Sequence, residues 1–199
     1  MKKILSLICA ILFTNSLVLA YQEIHLNGFQ YIVIDNGSVA VWNCYNNQDT
    51  VIIPNVVTIN NVKYTVVAID GGAFMWKDDI ISVIIPNTVT SIGQSAFQEC
   101  ENLSSVVMPN SITNIGSWAF TYCPNLTSFT IPDSVKHIGA AIFAYCPSLT
   151  TLDYNAKDCN GFGVGIAHPF GGSNISTINI GTDVEKIPEN FLYDMDSIT

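Results

Sequence analysis

Apolar and polar positions repeat with one period through most of the chain. A segment of the form apolar-x-x-apolar-x-apolar reads Ile80, Val83, Ile85, then Leu103, Val106, Met108, then Leu126, Phe129, Ile131. Leu149, Leu152, Tyr154 and Ile175, Ile178, Ile180 continue it. The alternation at the end of each segment predicts a short strand with alternate side chains facing inward. Pro86, Pro109 and Pro132, 23 residues apart, follow the first three and end ladder pairing there. A second figure comes next: Val89 with Ile92-Gly93, Ile112 with Ile115-Gly116, Val135 with Ile138-Gly139. The glycines predict a turn with positive φ. Ala96-Phe97 and Ala119-Phe120 follow in segments too short for a long helix, which predicts a helical turn or a strained loop. Phe74, Phe97, Phe120 and Phe143 hold the period of 23, as do Ile80, Leu103, Leu126 and Leu149. Cys100, Cys123 and Cys146 form a third such column.

One such unit cannot bury its own apolar face. Units stacked about 4.8 Å apart, the spacing of hydrogen-bonded strands, make a parallel sheet and one continuous core. The expected fold is therefore a mainly β repeat solenoid in which each column becomes a ladder of like side chains. Two departures fit this scheme. Ile53-Pro54 precedes Ile85-Pro86 by 32 residues, and Ile59-Asn60-Asn61-Val62 predicts a hairpin inserted in the first unit. Leu152 and Ile178 are 26 apart, with the glycine-rich stretch 161–172 between them. Asp183-Val184, Ile187, Leu192 and Ile198 restore the register, and Thr199 falls inside a unit that lacks a polar terminal cap, as in one module of a longer protein.

The ends complete the division. Met1-Lys2-Lys3, the apolar run from Ile4 to Phe13, and Val18 and Ala20 at the −3 and −1 positions predict a signal peptide over residues 1–20. The uninterrupted apolar run is shorter than the roughly 20 residues a membrane span needs. Residues 21–52 read as an N-terminal β cap. There Phe29 to Ile34 and Val39 to Trp42 flank the turn Asp35-Asn36-Gly37-Ser38. Residues 53–199 hold the repeats.

Charge narrows the partners. Without Lys2 and Lys3, five lysines and no arginine face 16 carboxylates, a formal charge of −11. Nucleic acid and anionic lipid are bound mainly by positive charge, so neither is an expected partner. Oligomeric state is open.

Side-chain chemistry offers no catalytic, cofactor or metal site. No Cys-x-x-Cys occurs and Lys77 stands in the cysteine column, so the thiols read as small inward-facing hydrophobes. Pairing of Cys44 with Cys159 stays open. His25, His137 and His168 are scattered without a partner at i+4. Gly161-Phe162-Gly163-Val164-Gly165 lacks the Lys-Ser/Thr of a phosphate loop. Ser95, Ser117 and Ser134 sit in no Gly-x-Ser-x-Gly elbow. Asp78-Asp79 and Asp194/Asp196 read as solvated turn acids. One column stands out: Trp76, Glu99, Tyr122 and Tyr145 vary in type, as solvent-facing positions do, and Trp118 stands at another variable position. Aromatic residues concentrate in binding cores, so these five are candidate ligand contacts. Packing over neighbouring units is the alternative.

The Ile85-Pro86, Ile92-Gly93, Ala96-Phe97, Cys100 and Leu103 pattern, kept over most of residues 48–199, resembles the BspA-type leucine-rich repeats of Bacteroides-like bacteria and parasitic protists. The resemblance implies a right-handed superhelix of ~23-residue units. Short helical or irregular segments would lie opposite the parallel sheet. It also implies a secreted or cell-surface protein that binds protein or glycan ligands, host extracellular matrix among them, in adhesion. It carries over no catalytic residue. A structural spacer in a larger surface protein and a glycan-acting enzyme are the alternatives. The Asn102, Asn125 and Asn174 sequons are glycosylation acceptors only in a eukaryotic host.

Overall fold

The computed structural model describes residues 23–161, 169–189 and 191. The signal-peptide segment, His168, Gly163 to Gly165, Leu192, Asp194, Asp196 and Ile198 lie outside the described residues.

The N-terminal strands β1 (Glu23–Leu26), β2 (Phe29–Val33) and β3 (Ser38–Cys44) pair antiparallel in sequence order. The chain then coils. β4 (Thr50–Ile52) opens the first coil. β5 (Val56–Ile59) and β6 (Val62–Ile69) form the inserted hairpin, turning at Asn60 and Asn61 with φ of 49° and 64°. Asparagine tolerates this left-handed region better than most residues. β3 pairs parallel with β6, which joins the antiparallel end to the solenoid in one sheet.

Two walls of strands follow. β7 (Ser82–Ile84), β9 (Ser105–Val107), β11 (Ser128–Ile131), β13 (Thr151–Tyr154) and β14 (Thr177–Ile180) carry the apolar-x-apolar segments. β4, β7 and β9 form one parallel sheet and β11, β13 and β14 another; β9 and β11 lie in contact. The second wall is made of two-residue strands, β8 (Ser91–Ile92), β10 (Asn114–Ile115) and β12 (His137–Ile138), which extend the β6 sheet in parallel. Partners in β7–β9, β8–β10, β10–β12 and β11–β13 differ by 23 residues, the sequence period itself.

The phenylalanine ladder is continuous. Rings of Phe74, Phe97, Phe120, Phe143 and Phe170 stack with centroids 4.7, 5.1, 5.8 and 6.1 Å apart. The first four are fully buried, as are Leu103, Leu126 and Leu149. Each ring pair adds about 0.5–1.5 kcal/mol beyond its area burial. In the last described strand, Ile180 is exposed although its place in the pattern is an inward one.

Gly93, Gly116 and Gly139 do not take the positive φ expected of them. Their reason is proximity. A Cβ on Gly93 would stand 2.5 Å from Gly71 N, and one on Gly116 2.5 Å from Gln94 N. At Gly139 it would collide with Ser117. Only a residue without a side chain lets successive coils pass so closely.

The third wall contains no helix among the described residues. It is a strained loop, the second of the two forms expected for the Ala-Phe segments. Non-glycine residues with left-handed backbone recur there at two places per coil. One series is Ser95, Trp118 and Ala141, with φ of 55°, 59° and 54°; the other is Trp76, Glu99, Tyr122 and Tyr145.

Candidate functional site

The second series builds the exposed column. Trp76, Glu99, Tyr122 and Tyr145 have φ of 59°, 58°, 57° and 59°. Each N–H donates to the next coil, to the carbonyls of Gln98, Thr121, Ala144 and Gly171 at 3.1, 2.9, 2.9 and 2.7 Å. These coil-to-coil bonds fix the backbone and line up the side chains. Gly172, with φ of 75°, holds the equivalent place in the following coil. Left-handed backbone costs an L-residue roughly 1–2 kcal/mol relative to the right-handed form. Glycine is nearly free of that cost, so four side chains are kept here against a local penalty.

Burial does not repay it. Trp76 is 65% exposed, Tyr145 54% and Tyr122 46%. The side chains do touch along the column. The Tyr122 and Tyr145 rings stack at 4.5 Å and 11°. Trp76 Nε1 donates to Glu99 Oε2 at 3.0 Å, and Gln98 Nε2 donates to Glu99 Oε1 at 3.0 Å. Packing over neighbours and exposure to solvent therefore coexist in these residues. Trp118 stands apart, 42% exposed, in the column of Gly72, Ser95 and Ala141.

An open cleft of about 430 Å³ lies along the column. Glu99, Tyr122, Tyr145 and Gly172 line it from one series, and Glu101, Pro124 and Pro147 from two positions further along each coil. Trp76 and Trp118 are not among its lining residues. Sequence reasoning missed Glu101, Pro124, Pro147 and Gly172. The first three share the 23-residue period with Asp78 and could have been found by reading that second outward column. Gly172 was hidden by the longer coil before it.

The other sequence candidates are absorbed by the fold. All five described cysteines are buried and free, Cys44 and Cys159 included. The column thiols are more than hydrophobic filler. Cys100, Cys123 and Cys146 donate to the carbonyls of Phe74, Phe97 and Phe120 at 3.0, 3.2 and 3.1 Å, tying each coil to its predecessor. Burial pushes the Cys100 thiol up to about 12. Cys123 is raised by the neighbouring Cys146 thiol and by burial. Cys146 moves the other way, held down by its hydrogen bond with Cys123. Cys100 and Cys123 stay protonated at neutral pH, whereas nucleophilic chemistry needs the thiolate. Asn102, Asn125 and Asn174 donate to the carbonyls of Asp78, Glu101 and Pro147 at 2.8, 2.9 and 2.7 Å, so the sequon asparagines also stitch coils together. Ser134 Oγ donates to Ile112 O at 2.6 Å, and Ser117 Oγ accepts from Ala140 N at 3.1 Å. His25 stacks on Tyr45. Among the described residues no group of three His, Cys, Asp or Glu is placed to hold a metal ion. Among the described residues no helix is long and apolar enough to cross a membrane.

The coil-by-coil equivalence has a counterpart among known proteins. The family model of the BspA type leucine-rich repeat region matches residues 67–199 in six copies. The chain belongs to the BspA-type leucine-rich repeat family. Its fold is similar to that of a T. pallidum leucine-rich repeat protein, at 22% identity and a TM-score of 0.64, with 84% of each chain covered. It is also similar to a leucine-rich cell surface protein of Faecalibacterium prausnitzii, at 23% identity and a TM-score of 0.56. That match covers 84% of this chain and 56% of the other. The pneumococcal vaccine antigen PcpA matches at 16% identity and a TM-score of 0.63, over 82% of this chain and 47% of its own. At such identities the likeness is one of BspA-type fold. No curated protein matches the sequence.

Proposed function

We propose that this chain is a secreted or cell-surface protein-binding module acting in adhesion, with the outward column of the third wall as its contact surface. One observation carries the reading. Trp76, Tyr122 and Tyr145 are large, exposed aromatic residues held on left-handed backbone, where Gly172 shows that glycine fits. Side chains retained at a cost to the fold point to a use outside the fold. Aromatic residues supply much of the energy of protein interfaces. The surface location of the F. prausnitzii protein and the antigen role of PcpA support an extracellular setting.

The reading is tested by saturation binding to a panel of extracellular-matrix proteins and glycans. Saturable binding to a protein, lost in a Trp76→Ala, Tyr122→Ala double variant that melts as the parent does, is the expected result. Absence of binding across the panel favours a spacer. Hydrolysis of a glycan in the same panel would replace the binding reading with an enzymatic one.

A further inference from the structure

The cleft beside the tyrosine pair is asymmetric in charge. Toward one end its walls are Glu99 and Glu101; along the rest they are Tyr122, Tyr145, Pro124, Pro147 and the bare backbone of Gly172. The acid end is prearranged. Both carboxylate oxygens of Glu99 are held by neutral donors, Trp76 Nε1 and Gln98 Nε2, which leaves its negative charge uncancelled. Glu101 is exposed, and its N–H donates to Asp78 Oδ1 at 3.4 Å, which brings a third carboxylate to this corner. The described ion pairs are those of Lys157 with Asp133 and Asp183, so no described lysine forms an ion pair with these acids. Lys77, although adjacent to Trp76 in sequence, lies over the Tyr45 ring at 5.6 Å.

The tyrosine faces add to the same preference. An aromatic face attracts a cation through its quadrupole. At Gly172 a Cβ would stand 3.1 Å from Tyr145 Cδ1, so the missing side chain keeps that flank of the ring open. A flat apolar floor with carboxylates at one end matches a long side chain with an aliphatic stem and a cationic head. Arginine fits better than lysine, because its planar guanidinium stacks on tyrosine and forks onto a carboxylate. The volume of about 430 Å³ holds such a side chain together with the backbone that carries it.

We infer that the Glu99–Tyr122–Tyr145 cleft receives an arginine side chain of a protein partner. This rests on the protein-binding reading above and names the chemistry its partner must present at this site. A glycan would use the aromatic faces without needing the uncompensated carboxylates, so the charge favours the peptide.

The test is an NMR titration of the full chain with capped peptides of one Gly/Ser-rich sequence carrying arginine, its neutral isostere citrulline, or glutamate at the centre. The arginine peptide is expected to shift the amides of Tyr122, Tyr145 and Gly172, with citrulline roughly tenfold weaker and glutamate silent. Glu101→Gln is expected to weaken arginine binding about threefold and to flatten its salt dependence. Tyr122→Gly, compatible with the local backbone, is expected to abolish the shifts while the amide spectrum elsewhere stays that of the parent. Equal binding of citrulline, no shift with any of the peptides, or indifference to both substitutions overturns the inference. None of these touches the wider reading, which is judged by the protein panel. A neutral oligosaccharide that shifts the same amides while every peptide is silent overturns both.

Discussion

Two columns run the length of this solenoid with the same period and nearly the same spacing, and their constraints are opposite. The inward one is phenylalanine from Phe74 to Phe170, with Phe97 and Phe120 stacked at 5.1 Å. The outward one passes from tryptophan through glutamate to two tyrosines, stacked at 4.5 Å, and ends in glycine. Inside, no described phenylalanine of the ladder has a left-handed backbone; each side chain is sealed by its neighbours, and only one shape fills the space. Outside, the backbone would accept glycine, and the side chains differ, the three aromatic ones exposed and Glu99 half-buried. Repetition by itself therefore does not mark a structural column. What separates the two is whether burial accounts for the residue that is there.

Removing an inward rung is the strongest way to break this contrast. Phe120 stacks on Phe97 and Phe143 and also contacts Phe129 at 4.8 Å. Phe120→Ala is expected to cost about 4 kcal/mol and to lower the melting temperature by more than ten degrees. A loss below about 1 kcal/mol in chemical denaturation would mean that the ladder is not the source of stability.

The backbone contacts between coils come next. A methyl group at Gly116 would press on Gln94 N and on the carbonyl of Gly93, which cannot turn aside as a side chain would. Gly116→Ala is expected to cost about 2 kcal/mol, the usual size of an overpacking defect. Gly161, where an added Cβ meets nothing within 4 Å, provides the control for open space. Because its φ is 130°, alanine there carries only the conformational cost.

How much of this was legible in the sequence follows from the same contrast. Strands, coil period, inserted hairpin and core columns were readable because burial writes itself as apolar residues at fixed spacing. The recurrence of Gly116 is legible but its reason is not: a backbone contact between residues 23 apart leaves no mark that distinguishes it from a turn. The left-handed positions are hard to see in the sequence, since Trp, Glu, Tyr and Ala carry no turn signal and Ser95 carries only a weak one. Gly72 and Gly172, one in each column, are the clearest hint. The cleft depended on which outward columns stand side by side, and periodicity does not say which. Of its lining, Glu99, Tyr122 and Tyr145 were identified and the rest were not.

The thiol ladder offers a third, smaller test, read through pH. A folded thiol raised to about 12, as at Cys100, stays protonated when its unfolded counterpart ionises near the ordinary thiol value. The folded state then binds more protons, so stability falls as pH rises between those two values. Burial raises the Tyr31 and Tyr154 phenols in the same direction. Between pH 8 and pH 10 the loss from Cys100 is expected to be on the order of 1 kcal/mol. It is measurable as a lower denaturation midpoint at the higher pH, and Cys100→Ala should remove that part of the pH dependence. Native protein at pH 8 should also resist iodoacetamide until it is unfolded. Rapid alkylation of native Cys100 would show that this column is open to solvent.

The smallest expected effect is the most discriminating. Tyr122 loses its stack on Tyr145 when replaced by glycine, worth about 1 kcal/mol at most on an exposed surface. The same substitution relieves a left-handed residue with φ of 57°, a gain of about 1 kcal/mol. Tyr122→Gly should therefore leave stability within about 0.5 kcal/mol of the parent in denaturant titration. Phe120→Ala, two residues away, should nearly unfold the coil. A penalty above about 2 kcal/mol at Tyr122 would place that residue with the structural ladder. The case for a contact surface on this wall would then lose its physical basis, since the side chain would already be explained by the fold.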